Sequence, residues 1–153
     1  MTTRIPTSVL AHISIQVSDL TRSRTFYDSV LHPLGMRRLH NSSDSSGYGI
    51  AGKLQFWLVF APNTPFVEPS DLFHIAFRCK SRSAVRKFVA VATELGATIE
   101  GKAELQPEYS EHYYAAYIKD PDGYRIEAMT LRIQPIRSES NLKEMQLQRP
   151  RQR

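Results

Sequence analysis

At 153 residues, 41% hydrophobic and 23% charged, the chain is long enough to bury a core as one domain and holds no apolar run of membrane-spanning length. Its formal charge of +5 gathers at the C-terminus, where from Arg132 onward six basic residues meet only Glu139 and Glu144; with no interleaved aromatics and no binding motif there, no specific nucleic-acid partner is implied. The single cysteine, Cys79, rules out an internal disulfide, and MTTRIPTSVL lacks an apolar signal core, so a cytoplasmic chain is expected.

The first element is HISIQV, in which polar and apolar residues alternate as in a half-buried strand. His12, Ser14 and Gln16 share one face; Ile13, Ile15 and Val17 share the other. A helix follows, capped by Ser18 or Asp19 and striped by Leu20, Ser23, Phe26, Tyr27, Val30, Leu31 and Leu34, with Gly35 as its stop. Short strands are expected near 36–41, 46–51 and 53–60, with turns in NSSDSSG (41–47) and at Ala51-Gly52. The three prolines of APNTPFVEPSD (61–71) mark a linker, which divides the chain into modules 8–61 and 72–132.

The second module repeats the first. FHIAFRC alternates like HISIQV, and a constant offset of 62 superposes His12 on His74, Ile15 on Phe77, Arg24 on Arg86 and Phe26 on Phe88. Ser81 caps a second helix, striped by Val85, Phe88, Val89, Ala92 and Leu95 and stopped by Gly96. Strands at 97–101, 113–119 and 123–132 complete the module. Between the last two, Asp120-Pro121-Asp122-Gly123 is a hairpin turn, because proline presets φ and glycine accepts the left-handed position. The stretch Lys102 to Glu111 is expected as a loop bordering the site, and 133–153 as a basic, flexible tail.

The chemistry lies on the polar strand faces. Glu127 shares a face with Arg125 and Met129, and a carboxylate in a strand fit for burial is costly unless it is paired or coordinated. His12, His74 and Glu127, expected on one sheet, form a donor set for a divalent first-row metal with positions left open for substrate. The competing reading is structural, with Glu127 in an ion pair with Arg78 or Arg125. Either arginine could instead meet an anionic substrate. Tyr113, Tyr114, Tyr117 and His112 form an aromatic cluster, from which Tyr114 is expected to reach the substrate.

HISIQVSDLTRSRTFYDSVLHPLG, FHIAFRCKSRSAVRKF and YYAAYIKDPDGYRIEA together resemble the vicinal oxygen chelate superfamily of glyoxalase I, extradiol dioxygenases, fosfomycin-resistance thiol transferases and bleomycin-binding proteins. The resemblance spans about residues 8–132. It implies an α+β fold in which two βαβββ modules form a cup-shaped mixed sheet with helices packed outside. It also implies that His12, His74 and Glu127 hold one divalent ion (Zn, Fe, Mn or Ni), with Glu127 taking part in the chemistry. Glyoxalase I carries a fourth ligand on the fourth strand; here Gln55 and Trp57 occupy that face, and both are expected to touch substrate. The function so implied is a metal-dependent lyase or isomerase chelating two oxygens of a small substrate. Two alternatives are a ferrous extradiol-type dioxygenase and a metal-free ligand-sequestering protein of the bleomycin-resistance type. A homodimer is expected, in which His12 can serve a site completed by the partner's His74 and Glu127.

Overall fold

Residues 9–133 are described in the structure, a computed structural model. The expectation of a flexible tail therefore falls almost entirely outside the described residues. The first module runs through strand β1 (Ile13–Gln16), helix α1 (Leu20–Val30), β2 (Arg37–Asn41), β3 (Ser45–Ile50) and β4 (Lys53–Val59). The second runs through β5 (His74–Arg78), helix α2 (Arg82–Glu94), β6 (Thr98–Leu105), β7 (Tyr114–Lys119) and β8 (Arg125–Thr130). Each module forms a four-stranded mixed sheet, ordered β1-β4-β3-β2 and β5-β8-β7-β6. The first strand lies parallel to the last and the remaining pairs are antiparallel. This is the expected α+β architecture of two βαβββ modules.

Local chemistry explains where the elements stop. Asp19 caps α1 by accepting from the Arg22 amide at 2.9 Å, and Ser81 caps α2 by accepting from Ala84 at 3.2 Å. The α1 stripe was expected to continue to Leu34, but the α-helix ends at Val30 and a 3-10 turn spans His32–Leu34. Pro33 is the reason: it lacks an N–H and its ring clashes with the preceding turn. Between β3 and β4, Ala51 and Gly52 both take positive φ (50° and 79°), the conformation whose twist suits a two-residue hairpin. Residues Lys102 to Leu105, expected as loop, belong to β6. Register shifts on both sides of Gly101 disturb the alternation of that strand, so its length was hidden from a period-two reading.

The apolar faces of both sheets are covered by the helices, which also touch each other. Tyr27, Val30, Tyr48, Phe56 and Leu58 fill the first module, and Val85, Phe88, Ala92, Ile118, Ile126 and Ala128 the second. Phe77 of β5 meets Phe56 of β4 edge-on, with ring centroids 5.3 Å apart, so the two cores are continuous.

The turn after β7 fastens one module to the other. Asp122 accepts from the Ser18 hydroxyl and amide and pairs with Arg22 at 2.6 Å. Asp120, 6% exposed, accepts from the Asp122 and Tyr124 amides and from the buried Tyr27 hydroxyl at 2.7 Å. Burial outweighs these donors and raises the Asp120 carboxyl from 3.8 to about 6. Its folded-state pKa lies above its unfolded value, so the native chain binds the extra proton between roughly pH 4 and 6, and this group's contribution to stability falls across that window. Asp120→Asn removes the ionisation while keeping the shape. Relative to wild type, the variant is expected to gain about 2–3 kcal/mol in unfolding free energy between pH 4 and pH 7, measured by urea denaturation. A wild-type–variant difference that does not change with pH rejects the assignment.

Candidate metal and substrate site

Period two places the chemistry on the faces turned away from the helices. On β8, Arg125, Glu127 and Met129 share that face. Across the parallel pair, His74 stands opposite Arg125, and Ala76 opposite Glu127. Across the antiparallel pair, Tyr117 of β7 faces Glu127, and Tyr113, four residues earlier and just before β7, reaches the same carboxylate.

Glu127 is 2% exposed, and its two oxygens have different partners. The Tyr113 hydroxyl donates to Oε1 at 2.6 Å, while Oε2 lies 3.4 Å from Nε2 of His74, whose ring is half exposed. Burial, and then the neighbouring carboxylate, pushes the Tyr113 phenol well above its ordinary value and the Tyr117 phenol up to about 12. Both phenols therefore keep their protons at neutral pH and face the carboxylate as donors. Among the described residues no lysine or arginine pairs with Glu127. Arg125 turns instead to Glu100 of β6, 2.8 Å away, and lies over the Tyr117 ring. Gly101 leaves room for that ring, since a Cβ there would come within 2.8 Å of it.

The first module presents a separate half-site. His12, just before β1, lines a hollow of about 430 Å³ with Ser14, Asp44, Ser45, Leu54, Trp57 and Val59. Trp57 lines it, its ring tilted against the His40 ring at 5.1 Å, and Gly47 opposite makes space for the indole. Gln55 shares the Trp57 face and is exposed. A larger cavity of about 600 Å³ lies between α1 and the corner Leu95–Thr98, but it contains none of the candidate ligands. Its two cations are already paired, Arg22 with Asp122 and Lys119 with Asp71.

Three sequence expectations change here. His12 was expected on one sheet with His74 and Glu127, whereas the structure puts it on the other sheet, and no three His, Cys, Asp or Glu side chains of the described residues converge as a metal site. Tyr114 was expected to face substrate. It lies on the helix side of β7, 9% exposed, with its hydroxyl on the Ala103 carbonyl and Arg82 of α2 over its ring. The ion pair of Glu127 with Arg78 or Arg125 is not formed; Arg78 stands exposed on β5. Tyr113 was read only as one of a cluster. Counting back by twos from Tyr117 assigns it to the Glu127 face, a signal already present in the sequence.

The donor types suit a divalent ion. Two ligands held about 2.0–2.2 Å from one ion at ordinary coordination angles stand roughly 3.0–3.6 Å apart, and the His74–Glu127 spacing of 3.4 Å falls in that interval. A buried carboxylate that no lysine or arginine of the described residues neutralises is also a group for which coordination would offset the cost of burial.

The model of the Glyoxalase/Bleomycin resistance protein/Dioxygenase superfamily matches residues 9–128. The chain belongs to this superfamily. Among its relatives is the uncharacterized Bacillus subtilis protein YqjT, 30% identical over 124 residues, covering 76% of this chain and 94% of YqjT. A glyoxalase/bleomycin resistance protein from Albidiferax ferrireducens is 26% identical with a TM-score of 0.69, covering 80% of this chain and 98% of that one. The fosfomycin resistance protein FosX of Listeria monocytogenes shares the fold at 20% identity and a TM-score of 0.60, covering 80% of this chain and 93% of its own. Glyoxalase/bleomycin resistance/dioxygenase proteins include many enzymes, commonly use a divalent metal, commonly dimerise and bind small molecules. No described helix of this member is long and apolar enough to cross a membrane.

Proposed function

We propose that this superfamily member is a metal-dependent enzyme acting on a small oxygenated substrate by lyase or isomerase chemistry, with its site shared between two copies of the chain. The observation that carries the reading is the buried Glu127 carboxylate, aimed at His74 and paired with no lysine or arginine among the described residues. His74 and Glu127 supply two ligands, and His12, on the equivalent strand of the other module, supplies the third from a second copy. β1 and β5 each end their sheet, so the histidine-bearing strand of each module has no strand neighbour on its outer side among the described residues.

When bound, the divalent ion would act as a Lewis acid toward two neighbouring substrate oxygens. The chain's own groups bind and orient around it. Trp57 offers an apolar ring beside His12, Gln55 an amide, and Arg78 an exposed guanidinium for an anionic oxygen. Arg125, held by Glu100, supports the Tyr117 ring and leaves substrate contact to Arg78. Glu127, anchored at Oε1, keeps Oε2 fixed toward His74.

Protein purified without chelator is expected to carry about one divalent ion per chain, measured by elemental analysis, and Glu127→Ala to carry almost none. The metal's identity separates redox from non-redox chemistry, since iron on this donor set supports dioxygen activation. A wild-type chain without stoichiometric metal, whose ligand binding survives His74→Ala, would establish the sequestering protein instead.

A further inference from the structure

The two oxygens of Glu127 are not equivalent, and the difference comes from one side chain. Tyr113 closes the segment between β6 and β7: its amide donates to the Ser110 carbonyl at 3.1 Å, its carbonyl accepts from Gln106 at 2.8 Å, and its ring rests on Tyr109. The phenol is thus held at a fixed height over β8, where it donates to Oε1 at 2.6 Å. Oε2 is left facing His74 at 3.4 Å. A carboxylate free to rotate can offer one oxygen or both to an ion; a carboxylate with one oxygen engaged by a strong donor offers the other.

We propose that Tyr113 is a positioning residue that makes Glu127 a one-oxygen ligand, presenting Oε2 beside His74 and withholding Oε1. This rests on the reading of His74 and Glu127 as metal ligands. Partners of ligating carboxylates orient the ligand, and their loss typically weakens metal affinity by about 10–100-fold. Tyr117 also faces Glu127 across the β7–β8 pair, with Arg125 over its ring, but the 2.6 Å hydrogen bond to Oε1 comes from Tyr113, and Tyr114 points to the helix side.

The test uses the full chain with zinc and with cobalt as probes. Tyr113→Phe removes only the hydroxyl. It is expected to raise the zinc Kd by about 10–100-fold in chelator competition, and to weaken and shift the visible bands of the cobalt form, because Oε1 is then free to join the ion and raise its coordination number. Tyr109→Phe, a hydroxyl removed from the same segment, is expected to leave both readouts at wild-type values. A Tyr113→Phe chain with the wild-type Kd and cobalt spectrum, while Glu127→Ala loses the metal, overturns the role of Tyr113 and leaves the metal reading intact. A weaker Kd with an unchanged cobalt spectrum also overturns it, since that is the mark of a merely structural residue. If the wild-type chain binds neither ion, both readings fall.

Discussion

Chains carrying His12→Ala and chains carrying Glu127→Ala, each without metal alone, are expected to regain about a quarter of the wild-type metal sites when unfolded together and reassembled. The fraction follows from geometry. In the proposed two-fold dimer each site would take His12 from one chain and His74 with Glu127 from the other. A mixed dimer then holds one site with both defects and one with none, and random pairing makes about half the dimers mixed. Elemental analysis after removal of free ion reads the result. No recovery, with both parents empty, places all three ligands in one cup within a chain and sinks the shared site. The structure favours recovery, because His12 faces its own hollow on the first sheet while His74 and Glu127 meet on the second.

That division also shows which parts of the molecule a linear reading reaches. The alternation of HISIQV and HIAFRC gave the correct face for every residue of β1 and β5, since side-chain direction in a strand depends only on parity. Parity does not say whether two strands share a sheet, which is decided by side chains far apart in sequence. Here the long-range contacts that join the two modules are Asp120 with Tyr27, Asp122 with Ser18, and Phe77 with Phe56. The turn Asp120-Pro121-Asp122-Gly123 was legible as a hairpin, but nothing local revealed that its carboxylates reach α1. Tyr114 and Tyr113 illustrate the opposite case. Parity alone distinguishes them, and composition, which groups them as tyrosines, conceals the difference.

Phe56→Ala is expected to cost about 3–5 kcal/mol of unfolding free energy, measured by urea denaturation. Phe56 is fully buried and its ring meets three others, Tyr27 of α1 at 5.0 Å, Tyr48 of β3 at 6.2 Å and Phe77 of β5 at 5.3 Å. These neighbours come from a helix, its own sheet and the opposite sheet, so no single element can move in to fill the space. The cost therefore includes the transfer term and most of the cavity term. Against a total stability of about 5–15 kcal/mol for a domain of this kind, such a loss brings the chain close to unfolding. Trp57→Ala is the matched comparison: the adjacent residue of the same strand is larger, but it is only partly buried and faces the hollow beside His12. Its loss opens a surface recess that water can enter, so the destabilisation is expected to be clearly smaller despite the greater volume removed. Equal losses for the two variants would mean that the junction around Phe56 relaxes and does not bind the modules together. A large difference would locate the stability of the fold on the helix side of β4, leaving its other face free for binding.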